Sequence, residues 1–155
     1  MTRKIDHVEF GEADLKPAVR AVDEVRTVGR GWVNLRPGIR PEDAPPAASG
    51  LLALLGSRPM YVPLCTWVPG KSGQPDELGV QHASGTRAAL RLVEHGAGPR
   101  PGWVVRQDHP RRGLVIAIGA QELPREVVAW LVAAAHLLTR VPLTGWWLAD
   151  VHRAG

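Results

Sequence analysis

The strongest constraint on the fold is an uninterrupted apolar run near the end of the chain, Val127 to Ala135. Pro124 stands just before it and predicts a helix that begins there and continues to about Thr139. A helix on the surface of a globular protein has one apolar stripe and one polar face, but this run is apolar all round. The helix is therefore either buried on more than one side or shared with another subunit. The run is also far shorter than the roughly 20 residues that span a bilayer, so no membrane segment is expected.

The length and composition of the chain predict a single domain, residues 1–155. A second independent core would be poorly buried in a chain of 155 residues. Hydrophobic residues make up 45% and charged residues 22% of the chain, which are proportions typical of folded soluble proteins. Met1 to Asp14 lacks the apolar core of a secretory signal. Because the single cysteine, Cys65, cannot form an intrachain disulfide, we expect a cytoplasmic protein that is held together by packing.

Periodicity and turn residues predict the remaining elements. They indicate a helix after Asp14, strands near 31–35, 60–68 and 78–81, a short helix at 51–55, a helix between 84 and 96, a hairpin of strands 103–107 and 114–118, and a last strand at 146–151. Pro63 favours an edge position or a bulge for the second strand. Residues 69–77 read as a flexible loop. The sequence thus predicts an α+β fold, with three main helices packed on a mostly antiparallel or mixed sheet of about five strands.

Positive charge is concentrated in one stretch of the chain, Ser84 to Gly113. The formal net charge of the whole chain is +4. This stretch holds six arginines against only Glu94 and Asp108. It therefore accounts for the entire excess of positive charge.

The turn at the start of this stretch, His82 to Arg87, predicts an anion site. The turn leads from a strand into a helix, where free backbone N–H groups and the positive end of the helix dipole favour a negative group. Hydroxyl and guanidinium groups would add donors, and a glycine would let a ligand approach the backbone. Two further arginines would reach the same phosphate- or carboxylate-bearing small molecule if the following hairpin folds beside the turn. The predicted ligand-binding residues are Ser84, Gly85, Thr86, Arg87, Arg111 and Arg112.

A structural role for the same residues is the alternative to a binding site. Ser84 or Thr86 would then be an ordinary N-cap, and the arginines would be solvated surface residues. Their charge would be balanced in space by the acidic residues between Asp6 and Asp14. The leading hypothesis from the sequence is nevertheless a small binding or regulatory protein that recognises an anionic metabolite.

An enzyme is the second hypothesis, although no catalytic motif is present. Gly70-Lys71-Ser72 has the ending of a phosphate-binding loop, but position 65 lacks the required glycine. No two of the six histidines stand three or four residues apart, so neither a metal nor another cofactor is predicted. An acid–base site assembled in space from His82, Asp108 and His109 stays open.

A homo-oligomeric interaction module is the third hypothesis. It would use the helix at 127–138 and the strand that contains Trp146 and Trp147. Adjacent residues in a strand point to opposite faces, so one of these tryptophans would mark a partner surface. Nucleic-acid binding is not expected, because the basic stretch lacks interleaved aromatic residues.

The run GVQHASGTRAALRLVEHG followed by PGWVVRQDHPRRGLV resembles a family of actinobacterial proteins without a known activity. The resemblance covers roughly the central third of the chain. It implies a bacterial source with a high-GC genome, consistent with the excess of arginine over lysine. It implies no activity, cofactor or catalytic residue.

Overall fold

A computed structural model describes residues 4–44, 62–82, 84–85, 87–119 and 121–154. The strands within these ranges are β1 (Lys4–Gly11), β2 (Trp32–Pro37), β3 (Leu64–Val68), β4 (Asp76–Gln81), β5 (Val104–His109), β6 (Gly113–Ile118) and β7 (Trp146–Arg153). The α-helices are α1 (Lys16–Val28), α2 (Ala88–Glu94) and α3 (Pro124–Leu138), and Pro41–Asp43 forms a short 3-10 turn. The predicted α+β class is confirmed, but the sheet has seven strands instead of about five.

All seven strands belong to one antiparallel sheet with the order β1-β7-β2-β3-β4-β6-β5. The last strand of the chain, β7, lies between the first two, β1 and β2. Residues that are far apart in the sequence therefore become direct neighbours at this end of the sheet. The predicted hairpin of β5 and β6 forms the opposite end, with β6 inside the sheet and β5 at its edge.

One face of the sheet is covered by the three α-helices of the described ranges. Helix α1 contacts β1, β2 and β7, α3 contacts β3 and β4, and α2 contacts β5 and β6. Inward-pointing residues of paired strands, such as Leu35 opposite Cys65 and Val80 opposite Leu114, are fully buried beneath these helices. Their outward-pointing neighbours lie on a second face that carries no helix in the described part of the chain. We call this second face the uncovered face.

The position of α3 explains why its sequence is apolar all round. It lies over the middle of the sheet with α1 on one side and α2 on the other, so residues on three sides of the helix are buried. Ala129, Ala133 and His136 are exposed on its outer side. The first of the two explanations, burial on more than one side, therefore holds, while an oligomer stays a prediction. None of the described helices is long and apolar enough to cross a membrane.

Two features differ from the sequence prediction. Strand β3 is an interior strand between β2 and β4 and not an edge strand, because Pro63 precedes its first residue and removes no hydrogen bond from the ladder. Strand β1 was missed, although Asp6, Val8 and Phe10 alternate with outward-pointing residues as a half-buried strand requires.

Two further predictions concern the loop at 69–77 and the helix at 51–55. The predicted loop at 69–77 ends earlier than expected, since β4 already begins at Asp76. That residue is buried, accepts a hydrogen bond from Gly70 N–H and pairs with Arg26. The predicted helix at 51–55 lies outside the described residues.

Candidate functional site

A depression of about 400 Å³ lies on the uncovered face, where β1, β7 and β2 run side by side. Ligand pockets typically measure roughly 300–1,000 Å³. The lining residues are Glu9, Arg36, Pro37, Gly38, Trp146, Trp147 and Leu148. They come from three separate parts of the chain, which the insertion of β7 between β1 and β2 brings together.

The floor of the depression is a row of three residues across the sheet. Leu148 on β7 is paired with Glu9 on β1 and with Arg36 on β2. Because adjacent strands lie about 4.8 Å apart, the backbones of the acidic and the basic residue are about 10 Å apart. An apolar side chain therefore separates two side chains of opposite charge.

Arg36 is held in place by the carboxylate of Asp150. Its Nε donates to Oδ2 at 2.6 Å and its Nη2 donates to Oδ1 at 3.1 Å. The Asp150 side chain is 10% exposed and that of Arg36 is 52% exposed, so the carboxylate forms the base of the pair and the guanidinium extends towards solvent. Burial raises the pKa of Asp150, but hydrogen bonds from Arg36 and His7 and their charges outweigh it, and the net pKa is lowered. The pKa of Arg36 is raised, chiefly by its hydrogen bond to Asp150.

The same carboxylate also orients His7 on β1. His7 donates from Nδ1 to Asp150 Oδ1 at 2.6 Å, and its side chain is 59% exposed. One buried carboxylate thus fixes the directions of an imidazole and a guanidinium on the two strands that flank β7. A carboxylate that accepts a hydrogen bond from one ring nitrogen commonly sets the orientation of an imidazole.

Trp146 forms a wall of the depression and is 68% exposed. Its ring lies across Gly11, where a β-carbon would be 3.2 Å from a ring carbon. Its carbonyl accepts a 2.7 Å hydrogen bond from Gly38 N–H, and a β-carbon on that glycine would be only 2.9 Å from the same oxygen. Trp147 points to the other face, where it is buried and stacked against Phe10. The two tryptophans therefore face opposite sides, as the sequence predicts.

A second polar group continues along the uncovered face from the depression. Asn34 Nδ2 lies 3.2 Å from His152 Nε2, and Thr66 donates to Asn34 Oδ1 at 2.9 Å. The His152 ring is stacked on Trp32 with 4.5 Å between ring centroids. These contacts join β7, β2 and β3 on the uncovered face and stiffen the strands beneath the depression.

At the turn where the sequence predicts an anion site, a side chain of the protein itself is bonded to the backbone N–H groups at the start of α2. Asp108 accepts hydrogen bonds from the backbone N–H groups of Ala88 at 2.8 Å and Ala89 at 3.2 Å. The β5–β6 hairpin does fold beside the turn, and it brings this carboxylate with it. The first helical amides are therefore already bonded within the protein.

The other residues of the predicted turn also have structural contacts. Ser84 donates from Oγ to His82 Nδ1 at 2.9 Å and does not cap α2, whose N-cap position is held by Arg87. Gly85 has a positive φ of 76°, which suits a glycine. Thr86 lies outside the described residues.

The predicted acid–base residues have different surroundings. His82 is 2% exposed, and its Nε2 has no hydrogen-bond partner among the described residues. Burial lowers the pKa of His82, and the nearby charge of Asp108 raises it less, so the pKa is lowered overall. His109 instead accepts the backbone N–H groups of Arg111 and Arg112 at Nδ1 and thereby closes the hairpin turn. Arg87, Arg111 and Arg112 are exposed.

The residues of the depression were not predicted, because the signal for them lies in strand pairing. Glu9, Arg36 and Leu148 become neighbours only once β7 is placed between β1 and β2. The exposed member of the Trp146-Trp147 pair was the one available clue. Within the described ranges, no group of three or more histidine, cysteine, aspartate or glutamate residues is placed to hold a metal ion.

Comparison with known proteins does not add to this description. No family model matches the chain, and neither the curated proteins nor the solved structures include a match.

Proposed function

We propose that this protein binds a small molecule that carries a carboxylate or phosphate on an apolar body, in the depression between β1, β7 and β2. The observation that carries the proposal is that the guanidinium of Arg36, which Asp150 holds, and the exposed ring of Trp146 belong to residues that line one depression. The first group supplies charge and the second supplies apolar surface. An anionic ligand with an apolar body uses both.

The arrangement of Arg36 favours recognition of an anion. A guanidinium has five N–H donors in a fixed plane, and only Nε and Nη2 are bonded to Asp150. The remaining donors match the oxygen atoms of a carboxylate or phosphate. Because Asp150 already restricts the side chain, little conformational entropy is lost when a ligand binds.

The exposed ring of Trp146 supports the apolar part of the proposal. Tryptophan is among the largest apolar surfaces that a protein can offer, and covering it removes that surface from water. The ring is fixed against Gly11 and its backbone is bonded to Gly38, so a flat surface is already formed. The depression is open, and we expect dissociation constants between micromolar and millimolar, or about −8 to −4 kcal/mol.

The proposed ligand is an anion, as the sequence predicts, but the proposed site is the depression and not the start of α2. The amides of Ala88 and Ala89, on which the predicted site depended, are bonded to Asp108. Arg36 is paired but retains free donors, and a cavity lies beside it. The depression therefore accounts for an anionic ligand better than the start of α2 does.

The proposal is tested with ¹⁵N-labelled protein titrated with 3-phenylpropionate and, separately, with the neutral 3-phenylpropionamide. We expect the acid to shift the indole N–H signal of Trp146 and the amide signals of Gly38 and Leu148, and the neutral compound to do so much more weakly. Trp146→Ala should abolish binding. Leu90→Ala, which removes another exposed apolar side chain from the helical layer, should leave it unchanged.

Two results would count against the proposal. Equal shifts with the acid and the amide would remove the role of charge. Shifts confined to Ser84, Gly85 and Arg87 would return the site to the start of α2.

A further inference from the structure

We propose, on the basis of the function above, that the ligand is a zwitterion of the amino-acid type, with an ammonium group next to its carboxylate. The residue that points to this ligand is Glu9. It lines the same depression as Arg36, and it is exposed. It forms no hydrogen bond or ion pair with the described residues, in contrast to the other carboxylate of the site, Asp150.

The charges of the depression suit a ligand that carries both charges better than a ligand that carries only a negative charge. Arg36 and Asp150 form a bidentate pair whose charges offset each other. Glu9 then leaves one uncompensated negative charge at the rim, and His7 adds positive charge only when it is protonated. A ligand with nothing but a carboxylate would enter next to a like charge, which disfavours binding. An ammonium group placed at Glu9 removes that penalty and replaces it with an attraction.

The spacing of the two charged residues fits a ligand of this kind. Glu9 and Arg36 are both paired with Leu148, one on each side of it. Their backbones are separated by two strand spacings, about 10 Å, and both side chains point to the uncovered face. The row therefore presents a carboxylate on one side of Leu148 and a guanidinium on the other, and a ligand that meets both must carry a positive and a negative group. The apolar part of the ligand would then contact Trp146.

The experiment compares three phenyl compounds that differ only in charged groups. L-phenylalanine has both charges, 3-phenylpropionate lacks the ammonium group, and phenethylamine lacks the carboxylate. Dissociation constants are measured at pH 7.5 from the shift of the Trp146 indole signal. We expect L-phenylalanine to bind on the order of threefold to fivefold more tightly than either of the others, the range that an exposed ion pair provides.

Substitution of Glu9 shows whether that residue causes the preference. Glu9→Gln should remove the advantage of L-phenylalanine over 3-phenylpropionate, mainly by strengthening the binding of 3-phenylpropionate. Glu77→Gln is the matched control, because it removes the same charge from the same face of the sheet on β4, which β2 and β3 separate from β7. It should leave the preference unchanged.

The outcomes separate this inference from the proposed function. If 3-phenylpropionate shifts the Trp146 signal and binds at least as tightly as L-phenylalanine, the zwitterion is overturned and the anion site stands. If L-phenylalanine is preferred equally by wild type and Glu9→Gln, the assignment to Glu9 is overturned. If none of the three compounds binds, both proposals fail together.

Discussion

Charged side chains have different kinds of partner at the two ends of the sheet. At the β5 end, charged residues that are close in sequence meet a partner from the same short stretch, as Asp108 does with the amides that begin α2. At the β7 end, His7, Arg36 and Asp150 come from three distant segments and leave an imidazole and a guanidinium directed at solvent. The first arrangement completes the fold locally. The second presents groups that a ligand can use.

The contrast follows from where in the chain the partners of the charged groups lie. Side chains can satisfy backbone groups that are close in the chain through short hydrogen bonds. The turn of Arg111 and Arg112 is closed by His109 in just this way. Groups that meet only through strand pairing are not subject to that local competition.

The largest expected effect on stability comes from replacing Asp150, and the same substitution of Asp108 gives the comparison. Asp150→Asn should lower the free energy of unfolding by about 2 kcal/mol, because it weakens charged hydrogen bonds to both His7 and Arg36 in a nearly buried position. Asp108→Asn should cost less, roughly 0.5–1 kcal/mol, because the asparagine oxygen still accepts one of the two backbone N–H groups and one hydrogen bond is lost. Urea unfolding at neutral pH measures both changes. A larger loss for Asp108→Asn would reverse the comparison.

The two ends should also lose stability in different pH ranges. The folded-state pKa of Asp150 is lowered, so its contribution is complete above the unfolded value of about 4 and is lost as the pH falls below it. The folded-state pKa of His82 is lowered by burial. The unfolded state therefore binds more protons below about pH 6.5, and stability starts to fall there.

Substitutions of Asp150 and His82 test which residue causes the loss of stability in each pH range. The stability difference between wild type and Asp150→Asn should shrink between pH 5 and pH 3, because protonation removes the charge that the variant lacks. His82→Gln should flatten the slope that begins near pH 6.5. Unfolding curves collected across this range test both statements. An unchanged slope in His82→Gln would assign the titration to another group.

The sequence was informative wherever the structure depends on local pattern. The all-round apolarity of Val127 to Ala135 left burial on several sides or a subunit contact as alternatives, and the first describes α3. The turn at residues 108–113 correctly indicated a hairpin. Adjacent tryptophans at 146 and 147 had to face opposite sides. Each of these conclusions requires only residues that are close in the chain.

Features that depend on strand order could not be read from the sequence. Strand β1 alternates as a strand should, but its short apolar residues gave a weak signal, and its burial depends on pairing with β7. Asp150 looked like one polar residue in an apolar strand. Only the register that sets it beside His7 and near Arg36 gives it a role.

We propose that the anionic ligand binds beside β7 and not at the start of α2. Calorimetric titration of 3-phenylpropionate into Arg36→Gln and into the triple variant Arg87→Gln, Arg111→Gln, Arg112→Gln distinguishes the two sites. We predict that Arg36→Gln weakens binding at least roughly fivefold, the loss of about 1 kcal/mol from one charged hydrogen bond. The triple variant should stay within roughly twofold of wild type, since its side chains lie away from the depression. Loss of binding in the triple variant, with Arg36→Gln unaffected, would contradict the account.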